Sequence, residues 1–483
     1  MGEISYRPVT PAIVDELRRL LGASYVIFGD PEKLEPFSHD EIPGKRYRAM
    51  PEVVVRPDGA AQVAAILKLA NRERIPVTPR GAGSGLSGGA VPVHGGIVLS
   101  VDRMNRILEI DRDNLMAVVE PGVVTNEINE RAREAGLFYA GYPMSLETCF
   151  IGGNVAENAG GGKAVKYGVT ARYVLGLEVV TPAGEIVELG GKLVKDVTGY
   201  NLVQLMVGSE GTLGIFTKII LKLIPLPKCQ VDLLCLFRNS EEAIAAVPRL
   251  MTASGIVPTA VEYMDRLAVK GACDYLNETI PYQACGAMLL VSLDGATETE
   301  VVAAYEAVGK LCQQYGAYEV YVADNPTTTE RLWRIRRAIG EAYNVYSQRQ
   351  SGEDLVVPPA AIPALVAALG RLGETYGVIV PCFGHAGDGN VHARLICPPE
   401  WSDDRWRETL PRLLADTYHA TAALGGRISG EHGIGCKRKG YMRTVVSEEY
   451  LNLLRAVKQA FDPNRILNPG KIFPDAGDSG AGR

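Results

Sequence analysis

The sequence predicts an α+β protein with two main domains, and three observations carry that expectation. The chain has 483 residues, 47% of them apolar, and single hydrophobic cores stop growing near about 250 to 300 residues. Its glycines crowd into three stretches, 81–96, 152–168 and 184–214, whereas 241–368 reads as ordinary helices and strands. The order of elements in that second region is mixed, which suits an α+β sheet covered by helices.

Taken in order, AAQVAAILKLANRER (60–74) spaces its apolar residues as a helix does, and IPVTP is a short strand opening into a glycine loop. GGIVLSV, LMAVVEP and VLGLEVVTP are further strands, and TNEINERAREAG is a helix begun by Thr125 and stopped by Gly136. After Pro225 and Pro227 come a helix from Ser240, the strand AMLLVSL, an amphipathic helix from Thr297 to Tyr315 and the strand YEVYVA. A helix from Thr327 to Tyr346, the strand DLVVP, a helix from Ala360 to Tyr376 and the strand VIVPCF follow. Ser447 opens a last helix, and the Gly/Ser/Asp-rich residues 475–483 read as a disordered tail.

Charge and cysteine usage narrow the partners. The net charge is only −6 and no stretch concentrates Lys and Arg, so nucleic acid is not expected. The first residues lack the apolar core of a signal peptide, and no later window offers about 18 uncharged apolar residues, so no transmembrane segment is expected and the protein is read as cytoplasmic. Nine cysteines stand singly, without the close spacing of iron–sulfur ligands. Electrons collected by such a chain must leave through a partner or a diffusible acceptor.

PRGAGSGLSGG (79–89) follows a strand and supplies glycines where backbone must approach a ligand, with Ser84 and Ser87 as donors. It is not the dinucleotide fingerprint, since no helix with an acidic residue about 20 positions on follows it. Alone it reads equally as tight turns in a sheet. Two more loops, TCFIGGNVAENAGGGKAVKYGVT (148–170) and VGSEGTLGIFT (207–217), again combine glycines with small polar donors. In order and spacing the three resemble the FAD-binding domain of the vanillyl-alcohol oxidase and p-cresol methylhydroxylase superfamily, over roughly Pro51 to Pro225.

That resemblance implies Arg80, Gly81, Gly83, Ser84 and Gly85 at the pyrophosphate. It implies Pro143, Ser145, Cys149, Gly152, Asn154 and Asn158 along the flavin, with Glu210, Gly211 and Ile215 completing the pocket. Members that attach flavin covalently often use a histidine in the first loop; the stretch from Pro79 has none until His94, so non-covalent FAD is expected.

Three of the six histidines lie in two short motifs, FGHAGDGNVHARL (383–395) and ISGEHGIGCKRK (428–439). The AGDG turn could bring His385 and His392 to one side of a strand–turn–strand element, and Glu431 offers a carboxylate. Two imidazoles and a carboxylate make a ligand set for a divalent metal with open positions; satisfied polar residues in a turn are the plainer reading. Together with the closing FDPNRILNPGKIF, both motifs resemble the subgroup of D-lactate dehydrogenases, D-2-hydroxyglutarate dehydrogenase and the glycolate oxidase flavin subunit.

The subgroup's metal ligands fall on His385, His392 and Glu431, its base on His432, its carboxylate-binding arginine on Arg336 and a substrate-contacting amide on Asn390. The metal is zinc, iron or manganese, which such ligands do not separate. Four other arginines stand between Arg331 and Arg349 and read as solvated surface. The positions that hold a second carboxylate in the dicarboxylate enzyme fall on Gly340 and near Ser351 or Gly352, none cationic. The expected substrate is therefore a short D-2-hydroxy acid, D-lactate or glycolate.

The fold the resemblance implies is a two-subdomain FAD domain of the p-cresol methylhydroxylase type, a cap domain with an antiparallel sheet, and a C-terminal segment returning to the FAD domain. Its expected bounds are 1–226 for the N-terminal helix and FAD domain, 227–446 for the cap, 447–474 for the returning segment and 475–483 for the tail. An electron-accepting protein, either electron-transferring flavoprotein or an iron–sulfur subunit, is the expected partner, with membrane attachment only peripheral through it. A metallohydrolase with a nucleotide-binding glycine domain, and a non-catalytic flavin relay subunit, are the competing readings.

Overall fold

The computed structural model describes residues 5–44 and 46–475, so all of the expected tail but Asp475 lies outside the described residues. The chain forms two compact units. The first runs to Ala159, resumes over Val169–Leu226 and takes up the chain again from Glu431; the second holds Gly160–Gly168 and Pro227–Gly430.

Two main sheets build the first unit, besides a two-stranded pair of Leu137–Phe138 with Ile224–Pro225. In the smaller, strands order as Val26–Phe28, Val53–Val55, Ile97–Ser100 and Val77–Arg80, the last three parallel. Their apolar runs are buried on both faces, as parallel strands require. The helix Ala60–Glu73 turns Val63, Ile66, Leu67 and Ala70 into this core, as its spacing predicts. The larger sheet is antiparallel, ordered Ile107–Asp111, Met116–Val119, Ile215–Lys222, Val174–Val180 and Ile186–Gly190.

The C-terminal segment closes the first unit. Val77 N–H donates to the Ile466 carbonyl (2.7 Å), and the Asn468 amide donates to the carbonyls of Gly89 and Glu210. The helix Glu448–Phe461 starts at Ser447, whose hydroxyl accepts from Tyr450 N–H.

The second unit holds one seven-stranded antiparallel sheet. In chain order its strands are β1 (Cys229–Phe237), β2 (Ala260–Asp265), β3 (Ala287–Gly295), β4 (Ala317–Ala323), β5 (Gln350–Val356), β6 (Cys382–His385) and β7 (Asn390–Ile396). Their order across the sheet is β4-β1-β3-β2-β6-β7-β5. The helix α1 (Pro326–Tyr346) opens at Asn325, whose side chain accepts from Thr328 N–H. It packs Leu332, Ile335 and Ile339 against Leu234, Met264, Met288 and Phe383 of the sheet.

Three differences from the sequence reading have local causes. The second unit ends at Gly430, not 446: Lys437 N–H donates to the Ser87 carbonyl, and Ile434 and Gly435 N–H donate to Glu210. The glycine-rich motif that makes these bonds has no periodicity to reveal them. Residues 160–168 join the second unit, where Tyr167 donates to Asp294 (2.8 Å) and Lys166 pairs with the same carboxylate. Strands β1 and β2 were passed over, β2 because AVEYMD sets two acids in a short run. Among the described residues no helix is long and apolar enough to cross a membrane.

Candidate active site

The second unit builds its site on one face of the sheet, from residues two apart on neighbouring strands. Register pairs Glu262 of β2 with His385 of β6, Phe383 of β6 with His392 of β7, and His392 with Asp354 of β5. Period-two alternation adds Asn390 and Arg394 of β7, with Gly352 opposite Arg394. The turn between β6 and β7 is the short one its glycines suggest: Gly389 has φ +92°, and a Cβ there would meet the Val357 carbonyl at 2.0 Å.

His385 and His392 stand with ring centroids 5.3 Å apart, nearly perpendicular and both buried. His385 Nδ1 lies 2.7 Å from Glu262 Oε1. A proton on Nδ1 aimed at that carboxylate leaves the Nε2 lone pair as the ligand atom, the arrangement that fixes a metal-binding imidazole. Arg336 Nε donates to the other oxygen of Glu262 (2.7 Å). Burial alone would raise the Glu262 carboxyl, but the Arg336 guanidinium and the His385 imidazole outweigh it and hold the group below its ordinary range. Glu262 therefore stays ionised and orients two functional groups at once.

Arg336 is buried and stacked on the Phe383 ring at 5.2 Å, and its Nη2 has no hydrogen-bond partner. A donor left open on a buried guanidinium suits an incoming carboxylate. The neighbouring arginines behave as solvated surface residues do: Arg331 and Arg334 pair with Glu278, and Arg337 pairs with Glu330. Trp333 donates to the buried Asp232 (3.2 Å).

Asp354 is a second organising carboxylate. It accepts from the Asn390 amide (2.7 Å), the Ser429 hydroxyl (2.8 Å) and Gly430 N–H (3.0 Å), and His392 Nδ1 lies 3.8 Å away. The Asn390 amide nitrogen also donates to the Leu355 carbonyl, which fixes the flip of the group and leaves its buried Oδ1 without a donor. Glu431 and His432 follow Gly430 directly in the chain, and their side chains approach within 3.6 Å of each other.

Sequence reasoning missed Glu262, Asp354 and Arg394. The first two sit on strands far from the histidine motifs, and each shares its short strand with a second acid, Asp265 or Glu353, so nothing local singled them out. Arg394 was quoted in the motif but given no role. Its residue is buried, and burial pushes the guanidinium down to about 10, which still leaves it charged. A Cβ built on Gly340 would lie 3.0 Å from its Nη2, and one on Gly352 would lie 2.6 Å from its Nη1. Positions 340, 351 and 352 carry no charge themselves, as the sequence has it, but Arg394 brings one beside Gly340 and Gly352.

In the first unit the glycine loops meet. A Cβ on Gly81 would lie 3.7 Å from Gly153 N, and one on Gly211 would lie 2.6 Å from Pro79 Cγ. Gly83 and Gly211 have positive φ (+79° and +63°), open to glycine at little cost. Gly152 packs on Pro121, and a Cβ on Gly85 would stand 3.7 Å from Asp40. Several side chains expected on the cofactor instead brace these loops. Arg80 donates to the carbonyls of His39 (2.8 Å) and Pro36 (2.9 Å), the Asn154 amide donates to Thr125 (2.7 Å), and Asn158 accepts from Ala171 N–H. The Ser145 carbonyl accepts from Cys149 N–H, and Ile215 is core. Glu210 accepts from Ile434 and Gly435 N–H, and burial beside it raises the carboxyl of Glu157.

Comparison with known proteins divides the chain at the same place near residue 226, while its second match runs on past Gly430. Residues 51–190 match the family described as FAD binding domain, and 226–472 match FAD linked oxidases, C-terminal domain. The chain is 38% identical over 479 residues to a D-lactate dehydrogenase of Anaerostipes hadrus, covering 98% of this chain and 99% of that protein. It is 39% identical over 437 residues to the glycolate oxidase subunit GlcD of Bacillus subtilis, covering 90% and 92%. Among solved structures, p-cresol methylhydroxylase with substrate bound shares the fold at a TM-score of 0.78 and 19% identity, over 98% of this chain and 99% of that one.

Proposed function

The chain belongs to the family of FAD-linked oxidases, and on that premise we propose that it is an FAD- and metal-dependent dehydrogenase of small D-2-hydroxy acids. Membership makes it an FAD-dependent oxidoreductase and sets the hydrolase reading aside. D-lactate and glycolate, which the names of its relatives carry, contain everything the reacting end needs: a carboxylate, a hydroxyl and an α-hydrogen.

The observation that supports this reading most is the buried row Arg336–Glu262–His385, in which one carboxylate holds an imidazole and a guanidinium whose Nη2 is unpartnered. The donor chemistry fits a divalent cation: His385 and His392 would be two ligands, and Glu431, next in the chain after Gly430, the third. Bound there, a divalent cation would lower the pKa of the substrate hydroxyl, and bound FAD would supply the hydride acceptor. Arg336 takes the substrate carboxylate on Nη2, and Asn390 Oδ1 offers an acceptor to the hydroxyl side. His432, uncharged, takes the hydroxyl proton as the α-hydrogen leaves with its electron pair, giving the 2-oxo acid.

Gly81, Gly83, Ser84 and Gly85 line the pyrophosphate in this reading, with Arg80 ordering their loop from behind. FAD is held non-covalently, with Pro143, Ser145, Cys149, Gly152, Asn154, Asn158, Glu210, Gly211 and Ile215 shaping its pocket. Electrons pass to a separate protein, electron-transferring flavoprotein or an iron–sulfur subunit, a role suggested by the word subunit in the name of one relative. The test is anaerobic mixing of the purified flavoprotein with D-lactate, glycolate and L-lactate. Bleaching by either of the first two, lost after chelation and restored by zinc, iron or manganese, is the expected result; bleaching indifferent to chelation, or none, defeats the reading.

A further inference from the structure

The carboxylates on Arg394's own face of the sheet are committed elsewhere: Glu262 to Arg336 and His385, Asp354 to Asn390, Ser429 and Gly430. Arg394 is only 8% exposed, and among the described residues no side chain is hydrogen-bonded to or ion-paired with its guanidinium. The carboxylate that acts on it electrostatically, Glu353, is its neighbour across the sheet: β5 alternates Glu353 to the opposite face, where Ser351 donates to it (2.5 Å) and Tyr418 donates as well. A buried guanidinium without a partner is costly unless something else supplies the anion.

Its surroundings give it access to the site. Asn390, His392 and Arg394 share one face of β7, so Arg394 stands two residues, roughly 7 Å, beyond the histidine. On α1, Gly340 lies one turn, about 6 Å, beyond Arg336. The guanidinium occupies the room that side chains at Gly340 and Gly352 would take, 3.0 and 2.6 Å from where their Cβ atoms would be. Two positions that carry no charge of their own are thus supplied with one by a third.

We propose that Arg394 is a specificity-determining residue that binds a second carboxylate at the far end of the substrate, so that the preferred substrates are 2-hydroxy dicarboxylates. The inference rests on the dehydrogenase reading above and deepens it. One or two methylene groups beyond the hydroxyl carbon, at roughly 1.5 Å per carbon–carbon bond, carry a second carboxylate from the Arg336 end toward Arg394. D-lactate and glycolate fill only the reacting end and leave Arg394 unused.

The experiment is anaerobic stopped-flow reduction of the holoenzyme by D-lactate, D-malate and D-2-hydroxyglutarate, in the native chain and in Arg394→Leu and Arg394→Lys. The native protein is expected to half-saturate with one of the dicarboxylates at a concentration about 10-fold or more below that for D-lactate. Arg394→Leu should raise the dicarboxylate value about 10- to 100-fold more than it raises the D-lactate value; Arg394→Lys should fall between. The native comparison needs no variant, so misfolding of Arg394→Leu cannot decide the outcome. Equal half-saturation by all three acids, or a parallel shift for D-lactate and the dicarboxylates, overturns the role of Arg394 while D-lactate bleaching keeps the dehydrogenase reading. Bleaching by none overturns both.

Discussion

The two units make their sites in opposite ways. In the first, backbone does the shaping: glycines at 83, 152 and 211 let loops approach within distances a Cβ would forbid, and side chains such as Arg80 and Asn154 are used up in bracing them. In the second, a stiff sheet presents side chains at fixed spacing, and two buried carboxylates, Glu262 and Asp354, orient what stands around them. A backbone-built site should yield to added volume, and a side-chain-built one to lost functional groups.

The largest expected separation comes from His385→Ala. A Lewis-acid contribution of several kcal/mol corresponds to about 1000-fold in rate, and steady-state turnover should fall by that order while FAD content stays near one per chain. Flavin lost along with activity would blur the contrast. A smaller effect, about 10- to 100-fold on metal affinity, is expected for Glu262→Gln, measured by metal competition with a chromogenic chelator.

Gly162→Ala sharpens the comparison from the other side. The residue lies in a glycine loop, yet its Cβ would stand 2.7 Å from Glu262 Oε1, so metal affinity should drop about 10-fold with FAD retained. Gly211→Ala should do the reverse. Its φ of +63° and the 2.6 Å approach to Pro79 impose about 1–2 kcal/mol, read as weaker FAD binding in a titration of apoprotein with unchanged metal affinity.

The smallest effect is the sign of a pH dependence. Glu262 is held below its ordinary range, so its contribution is present above the unfolded carboxyl pKa of about 4.3 and is lost as pH falls through the folded value. Glu157 is raised, first by burial and then by Glu210 and Asp40, so its contribution is present at low pH and lost as pH rises through the folded value. The native-minus-variant stability difference, from denaturant melts of Glu262→Gln and Glu157→Gln, should therefore slope in opposite directions; parallel slopes would contradict the assigned environments.

The same contrast governs what the sequence discloses. Periodicity announced the helices at 60–73 and 326–346, and the AGDG turn announced the strand pair that carries His385 and His392, because both signals are local. The glycine loops announced a cofactor domain but not the duty of each residue, since a brace and a ligand-binding group share one composition. His385, His392 and Arg336 were legible from short motifs. Glu262, on a strand more than a hundred positions earlier, was not, because only the β2–β6 register carries it to His385. Arg394 escaped for a related reason: the charge was sought at positions 340 and 352, and folding supplies it from a third.

The bond from Val77 to the Ile466 carbonyl has a consequence for synthesis. That carbonyl leaves the ribosome about 390 residues after Val77, roughly 20 to 80 s later at ~5–20 residues per second. Until then the edge of the smaller sheet lacks its final partner, and nascent chains should stay protease-sensitive there through most of translation. A stop codon that removes only the last two dozen residues would leave that edge permanently open.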